Sequence, residues 1–441
     1  MNELSKNVAV KIYRDTDGYR FPLIVRSGVF PACLYLNAYL NGNHNSPLSK
    51  GKNKASSQAP AFITLKKYAY ELKFVYCYFI EQGIDLVECV SSGEFLSRQE
   101  IDDFVRVCKL YADEGTTDES NVVAISDKRI RNAIYATSHS QPQVSAHTLC
   151  QRLIRLRAYI EYLFVCHHYD LGPTNTQARV DDQFNKFKLY INTFISGTRK
   201  SNTIVKDAFE SVVPSDKFFY LLEIIKESSP ENPFKSSKLR NQILMQILIN
   251  TGVRVGAVLK LKVSDLIDDW DNPRFLLTRT PNDPTDPRLE RPSNKTKALS
   301  VSISSELMKL IKLYIQTVRT ENTTAREHDF VFISEKGTTS GQPLTYKSIH
   351  KIVDKFGEAL GIKLHPHKLR HKWNEVFEDK AREHGLTPEK IEDLRKYAMG
   401  WVEDSKMASV YNEYQLAVTV ADISSKTQSK AVPNLGGDHE A

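Results

Sequence analysis

The stretch of sequence that decides the fold is His365-Pro-His-Lys-Leu-Arg-His-Lys-Trp, residues 365–373. It predicts a helix that starts after the proline, because proline suits the first helical position, where its missing N–H leaves no hydrogen bond unmade. Side chains three positions apart lie on one helix face, so His367 and Arg370 should project together from the first turn, with His371 beside them. The positive end of the helix dipole would favour an anion bound there.

Two other interpretations of this segment remain open. The histidines would also suit a metal site, but no carboxylate or cysteine stands at ligand spacing. We therefore expect no metal and no other cofactor. Histidine and arginine are also ordinary polar residues at a helix start, so the segment needs support from elsewhere in the chain.

A second cationic position lies upstream, in Leu248-Ile-Asn-Thr-Gly-Val-Arg, residues 248–254. Helical periodicity over 237–251 is followed by Gly252, and glycine commonly ends helices in the left-handed conformation. This turn would hold Arg254 at the start of the next apolar run. An arginine fork in that place can grip a phosphate with two parallel hydrogen bonds, although a single arginine after a helix cap is more often a surface residue.

A possible nucleophile lies downstream, where Gly400 ends a helix and a turn leads into another helix that carries Tyr411. A tyrosine can attack as a covalent nucleophile. With an ordinary pKa of about 10, it needs cationic neighbours that stabilise the phenolate. Any of the 20 tyrosines is more often a packing residue, so the order of the three segments carries the inference.

In that order, Thr251-Gly-Val-Arg254, His367-Lys-Leu-Arg370-His371 and Gly400-Trp401 followed by Tyr411 resemble the motifs of the tyrosine recombinases and phage-type integrases. The resemblance covers about 215–425. It implies that the two arginines clamp the scissile phosphate, while the tyrosine attacks it to form a 3′-phosphotyrosine and release a 5′-hydroxyl. It also implies that His367 is the acid/base and hydrogen-bond partner and that Trp401 donates its indole N–H where many relatives have histidine.

The family also has a lysine, on the strand hairpin after the first arginine, that protonates the leaving 5′-oxygen. We assign this role to Lys295, with Lys297 as the alternative two positions away. The strands of the hairpin are predicted at 275–280 and 298–303 from their alternating, β-branched residues. Between them, residues 281–294 contain four prolines, which predict an insertion or a wide hairpin tip.

The sequence departs from the family pattern in two places. Ala257 stands where a supporting carboxylate is usual, three residues after the first arginine, so that support must come from elsewhere. The spacing from Trp401 to Tyr411 is one residue longer than the family leads us to expect. This leaves Tyr414, one helical turn further on, as an alternative nucleophile.

The fold class is predicted to be mainly α with a small β component (α+β), a helical core-site DNA-binding domain followed by a tyrosine-recombinase catalytic domain. Helices are expected at about 64–83, 98–113, 144–168, 174–195, 218–227, 237–251, 303–319, 344–360, 367–384 and 387–399, with an isolated strand at 329–334. The expected organisation is an N-terminal extension of unknown role (1–55), the helical domain (56–200), a linker (201–214), the catalytic domain (215–430) and a polar C-terminal tail (431–441).

Composition sets broader limits. A chain of 441 residues exceeds the usual size of one domain. Lys and Arg outnumber Asp and Glu by 60 to 53, a formal charge of +7, which suits a polyanionic partner without identifying it. The six cysteines contain no C-x-x-C pair. With no signal-peptide core and no apolar run near the roughly 20 residues that span a bilayer, we expect a cytoplasmic, nucleoid-associated protein.

The expected partner is double-stranded DNA, bound as a homo-tetramer on paired sites with exchange of the C-terminal helix, without a membrane. The protein would be a recombinase or integrase of a mobile genetic element. The alternatives are a type IB topoisomerase, which shares the chemistry as a monomer, and a catalytically silent DNA-binding accessory protein. Basic residues of the helical domain could contact the DNA backbone, and an ordinary solvated charged face explains their presence equally well. These residues are Lys66, Lys67, Arg152, Arg155 and Arg157.

Overall fold

The chain folds into two compact units, Met1–Ile204 and Val205–Ala441. The computed structural model describes residues 7–42 except 17 and 29, 60–110, 144–169, 175–200, 212–401 except 281, 282, 293 and 295, and residues 420, 423 and 424. No helix in these ranges is long and apolar enough to cross a membrane.

The first unit combines a small antiparallel sheet, in the order β1-β2-β3, with a group of helices. Its described elements are β1 (Val8–Arg14), β2 (Arg20–Arg26), β3 (Phe30–Pro31), α1 (Leu34–Gly42), α2 (Phe62–Glu81), α3 (Leu86–Ser91), α4 (Arg98–Cys108), α5 (Ala146–His168) and α6 (Asn175–Lys200). The four long helices agree with the sequence expectation, but the sequence indicated neither α1 nor the short α3. Helix α4 begins with a capping box in which Ser97 and Glu100 each bond the other's backbone N–H.

The N-terminal residues pack into the same core as the helices. Val8 of β1 and Ile24 of β2 are almost completely buried in one cluster with Leu72 of α2 and Leu156 of α5. The structure therefore places residues 7–42 inside the first compact unit, whereas the sequence suggested a separate extension over 1–55. The physical reason is that the apolar sides of two short strands cannot be buried in isolation and need helices to cover them.

Three arginines named as possible DNA contacts serve the packing of this unit. Arg155 is 5% exposed, and it donates to Glu71 Oε2 and to the Tyr39 hydroxyl at 3.0 Å each. Arg152 donates to the carbonyls of Cys108 and Leu110 at 2.8 and 2.9 Å. Arg157 donates to Asn192 Oδ1 at 2.6 Å. These side chains join helices, so the charge of this region contributes less to a DNA surface than its sequence suggests.

We predict that Arg155→Met lowers the stability of the first unit by about 3 kcal/mol, because it leaves the buried Glu71 carboxylate without its main cation. Native-state hydrogen exchange of α2 and α5 amides in the full chain measures this. The matched control is Lys67→Met, whose half-exposed side chain lies 3.5 Å from the same carboxylate and should cost less than about 1 kcal/mol. Equal losses for both variants would contradict the prediction.

The second unit surrounds one nearly all-buried helix with further helices and a three-stranded antiparallel sheet, in the order β4-β5-β6. Its described elements are α7 (Ser215–Ile224), α8 (Lys238–Thr251), α9 (Val255–Lys260), β4 (Leu266–Ile267), β5 (Arg274–Leu277), β6 (Leu299–Ser302), α10 (Ser305–Tyr314) with a π-helical turn Ile315–Arg319, α11 (Tyr346–Leu360), α12 (Pro366–Glu383) and α13 (Pro388–Met399). Ten of the 14 residues of α8 are buried, which makes it the central helix.

The sheet agrees with the expected hairpin, since Arg274 pairs with Ser302 and Leu277 with Leu299. The sequence missed β4, which adds only two residues. The predicted isolated strand at 329–334 is wrong in detail. This segment forms single bridges, Lys262 with Phe330 and Ile333 with Pro343, because it changes its pairing partner within four residues, although its successive side chains are buried.

The proline-rich segment does not behave as a projecting tip. Arg288 and Asp286 are 6% and 1% exposed and form a bidentate pair, with distances of 2.8 and 2.7 Å. The same guanidinium donates to the carbonyls of Leu259 and Leu344 at 3.0 and 2.6 Å. A buried arginine needs such complete pairing, and proline has no N–H to leave unsatisfied. The segment is thus packed against α9 and the start of α11.

Candidate active site

The turn that carries Arg254 is fixed by the glycine before it. Gly252 has a φ angle of +60°, in the left-handed region, and ends α8. A Cβ atom on Gly252 would lie 2.7–2.9 Å from atoms of the Trp373 ring. Both the backbone conformation and the close contact therefore require glycine. Arg254 follows as the N-cap of α9, and its carbonyl accepts the N–H of Ala257 at 2.9 Å.

Helix α12 begins as the sequence predicts, with Pro366 at its first position and His365 as N-cap. The His365 ring accepts the N–H of Lys368 at 3.3 Å. Arg370, in the first turn, is 4% exposed, and its Nη1 donates to the carbonyl of Gly252 at 2.5 Å. This hydrogen bond joins α12 to the turn before Arg254, so the two arginines of the predicted site lie at one place in the fold.

The histidines at this place are held in the neutral form. Partial desolvation, together with the charges of Arg370, His365 and Arg254, lowers the pKa of His367, although part of the ring is exposed. Burial, followed by the influence of His367, lowers the pKa of His371 to about 4. The His367 and His371 rings meet edge to face, with centroids 4.6 Å apart. At neutral pH the site therefore combines two cationic arginines with uncharged imidazoles.

Trp401 completes the described cluster. It lies directly after Gly400, which ends α13 with a φ angle of +61°. Trp401 is 6% exposed, and the Cζ atom of Arg370 lies 5.9 Å from the centre of its ring. Because α13 ends beside α12, a residue more than 30 positions along the chain reaches the same arginine.

The sequence interpretation overlooked Trp373, although it lies in the quoted motif. Its ring packs under Gly252 and against the pair Met399 and Trp401, and its Nε1 donates to the carbonyl of Asn250 at 2.9 Å. Trp373 thus touches both the turn that carries Arg254 and the segment that carries Trp401. The sequence signal for its role is its position three residues after Arg370, which places it near the same helix face. A tryptophan in a helix is usually a core residue, so this signal is weak.

A buried ion pair fixes α12 against α13. Arg395 and Glu378 have side chains 3% and 11% exposed, and Nη2 of the arginine donates to Oε2 of the glutamate at 2.5 Å. The other oxygen, Oε1, accepts from Arg382 at 2.6 Å. This pairing joins α12 to the last turns of α13 and so fixes the two helices against each other.

Of the predicted site residues, the structure brings together Arg254, His367, Arg370 and Trp401, which we call the active-site cluster. Lys295 and Tyr411, like the alternative Tyr414, lie outside the described residues. Lys297 is described: its side chain is exposed, and its backbone N–H donates to the carbonyl of Gly400 at 2.9 Å.

The departure at Ala257 has a structural basis. Ala257 is 2% exposed and belongs to the apolar core, where an unpaired carboxylate would be costly. Part of the support that a carboxylate would provide comes from the main chain instead, because the Gly252 carbonyl accepts a hydrogen bond from Arg370. Among the described residues, no three His, Cys, Asp or Glu side chains are grouped as metal ligands.

The family match covers the part of the chain that holds the site. Residues 216–415 match the phage integrase family. Over 132 residues, 30% of this chain, the sequence is 33% identical to transposase A from transposon Tn554 of Staphylococcus aureus, and the match covers 34% of that protein. It is 23% identical over 223 residues to tyrosine recombinase XerC of Staphylococcus aureus, which is 49% of this chain and 64% of XerC.

Among solved structures, the XerH site-specific recombinase bound to its palindromic difH substrate aligns with 82% of this chain and 80% of its own, at 17% identity and a TM-score of 0.48. The chain spans about a third of the length of the Tn554 transposase that it matches. The family match itself contains every member of the active-site cluster. Residues 216–415 therefore form a domain of the phage integrase family, to which the tyrosine recombinases belong.

Proposed function

We propose that this protein is a site-specific DNA recombinase or integrase that cleaves and rejoins double-stranded DNA through a 3′-phosphotyrosine intermediate. The observation that carries the proposal is the hydrogen bond from Arg370 to Gly252, which places two arginines and a neutral histidine at the start of α12 within a phage integrase domain. The similarity to a transposon's transposase supports a mobile genetic element as the source.

In this proposal, Arg254 and Arg370 bind the non-bridging oxygens of the scissile phosphate. Guanidinium groups match phosphate geometry, and their fixed charges stabilise the additional negative charge of the pentacovalent transition state. Arg370 is pre-organised for this role because its Nη1 is held by a main-chain carbonyl and its side chain is buried. The enzyme therefore does not have to order this side chain when DNA binds.

Tyr411 is the proposed nucleophile. Its oxygen attacks the phosphorus, the bond to the 5′-oxygen breaks, and Lys295 donates a proton to that oxygen. The neutral His367 accepts the proton of the tyrosine, and the indole N–H of Trp401 donates to the phosphate. The phosphotyrosine conserves the energy of the phosphodiester bond, so rejoining requires no nucleotide cofactor.

The exposed face of α11 is a candidate DNA-backbone contact. Lys347, His350 and Lys351 share this face at positions i, i+3 and i+4, and all three are exposed. The pKa of His365 is lowered by burial and then by the nearby Lys368 and His350 side chains. Since the His365 ring lies 6.5 Å from that of His367, the positive face borders the active-site cluster. Phosphates on either side of the scissile one would meet these charges.

We further propose a homo-tetramer on paired DNA sites, in which residues 413–428 dock on a neighbouring copy, and a location in the cytoplasm at the nucleoid. Both proposals come from the family resemblance, and the segment 413–428 lies almost entirely outside the described residues. A type IB topoisomerase and a silent DNA-binding protein are the outcomes that the following experiments would separate from a recombinase.

The first prediction concerns the nucleophile. Target DNA is identified by sequencing covalent adducts captured in cells, and a substrate nicked beside the cleavage position is then used to trap the protein. We expect the natural protein to form the adduct and Tyr411→Phe to form none, because phenylalanine has no oxygen to attack phosphorus. Tyr414→Phe is the matched control and should retain the activity. An adduct with Tyr411→Phe would show that the nucleophile is another residue.

The second prediction concerns pH. The lowered pKa of His367 means that it binds its proton below the usual value of about 6.5, so it remains a neutral base at neutral pH. The rate of adduct formation should be level between about pH 7 and 8 and should begin to fall only below the ordinary histidine pKa of about 6.5. His367→Gln should be slow at every pH and lack this fall. Circular dichroism over the same range separates catalysis from acid unfolding, and a falling limb unchanged in His367→Gln would contradict the assignment.

The third prediction concerns the face of α11. Replacing Lys347 and Lys351 together by glutamine should reduce the slope of log K against log salt by about 2, since each lost phosphate contact lowers it by about 0.9. Fluorescence anisotropy with duplex DNA at several salt concentrations measures the slope. Lys309→Gln changes an equally exposed lysine on α10 and should leave the slope unchanged. An unchanged slope in the double variant would remove this face from the DNA interface.

A further inference from the structure

The residues on either side of Lys295 are held by a short polar turn. The N–H and hydroxyl of Thr296 donate to Asn294 Oδ1 at 3.1 and 2.5 Å. Asn294 and Thr296 are each 6% exposed, so this turn is inside the protein although it lies in a strand connection. A buried side-chain to backbone turn of this kind fixes the local chain direction.

This turn is attached to the end of α13. The N–H of Lys297 donates to the carbonyl of Gly400 at 2.9 Å. A Cβ atom on Gly400 would lie 2.7 Å from Leu299 Cδ2 and 3.1 Å from Thr296 Cβ. The absence of a side chain at Gly400 therefore lets the strand connection lie directly on the helix end. We call Asn294, Thr296, Lys297 and Gly400 the hairpin clasp.

The hairpin clasp connects to the phosphate-binding arginine through the next residue. Trp401 follows Gly400, and its N–H donates to the carbonyl of Lys396 at 2.9 Å, which anchors it to α13. Its ring lies beside Arg370, with the guanidinium carbon 5.9 Å from the ring centre. A displacement of the strand connection would therefore be transmitted through Gly400 and Trp401 to the site where the phosphate binds.

We infer that Asn294 and Thr296, the sequence neighbours of Lys295, are positioning residues for the lysine that protonates the leaving group, because the hairpin clasp fixes these two residues relative to the end of α13. The inference rests on the proposed function. In the step concerned, the bond from Tyr411 oxygen to phosphorus forms, the bond from phosphorus to the 5′-oxygen breaks, and a proton passes from the lysine ammonium to that oxygen. Lysine has four flexible side-chain bonds, and an error of about 1 Å in placing a catalytic group can cost about 100-fold in rate.

The experiment compares two substrates that differ in one atom. In one, the leaving atom is the normal 5′-oxygen, and in the other it is sulfur. A thiol has a pKa of about 8.5, against about 15.7 for water, so a thiolate leaves without a proton donor. A defect in placing the proton donor should therefore slow cleavage of the oxygen substrate and spare the sulfur substrate.

The test variant is Thr296→Val, which keeps the shape of the side chain and removes the hydroxyl that donates to Asn294. We expect covalent adducts to form up to about 100-fold more slowly on the oxygen substrate, the loss that a misplacement of about 1 Å can cause, and near the natural rate on the sulfur substrate. Thr296→Ser restores the hydroxyl and should restore the natural ratio of the two rates. Because both rates come from one preparation, partial misfolding does not change their ratio.

The matched control is Thr285→Val. Thr285 makes the same kind of turn in the same strand connection, with its N–H and hydroxyl donating to Asp283 Oδ1 at 3.0 and 2.7 Å. It takes no part in the hairpin clasp, so its ratio should match that of the natural protein. Lys295→Ala should form adducts slowly on the oxygen substrate and near the natural rate on the sulfur substrate. Lys297→Ala should show no such rescue by sulfur.

Three results would overturn the inference. If Thr296→Val slows both substrates equally, or slows neither, the turn does not position a proton donor. If sulfur rescues Lys297→Ala and not Lys295→Ala, Lys297 is the proton donor and the inference has named the wrong lysine. Failure of the natural protein to form an adduct on either substrate is a distinct result, because it rejects the proposed function and not the hairpin clasp alone.

Discussion

The active-site cluster depends on one hydrogen bond, from the buried guanidinium of Arg370 to the carbonyl of Gly252. A buried arginine is unfavourable unless its donors are paired, so the fold must supply an acceptor at this place. It does so with a carbonyl from a turn that only glycine can form, packed over Trp373. The arginine that would bind phosphate is thus also the link between α12 and the end of α8.

Other buried charges in the second unit obey the same constraint and are paired. Glu378 and Arg395 join α12 to α13, while Asp286 and Arg288 hold the proline-rich segment against α9. Such pairs contribute little net stability, because desolvation offsets their attraction, but breaking one partner is costly. Their effect is to leave each helix one favourable orientation. For a site assembled from segments more than 100 residues apart, that specificity matters more than the stability of any single contact.

The first unit uses its charges in a similar way. Arg155 is enclosed by Glu71 and Tyr39, and its guanidinium carbon lies 3.4 Å from the centre of the Tyr68 ring. Basic residues in a helical sequence are usually assigned to the solvent or to a polyanion, because periodicity gives only the face on which they lie. Here the partners come from α1 and α2, and only packing brings them to α5.

The sequence by itself determined most of the helices and the strand pair of the second unit, because periodicity and caps are local properties. The four members of the active-site cluster were predicted from the order of three motifs that resemble those of one family. The sequence also indicated that Gly252 and Gly400 end their helices, since a positive φ angle favours glycine. Only the tertiary structure decided that residues 7–42 share the first core, that Asp286 and Arg288 of the proline-rich segment are buried, and that Trp373 lies between Gly252 and Trp401. These features depend on contacts between residues distant in the chain, and the balance between desolvation and pairing that fixes them has no local signal.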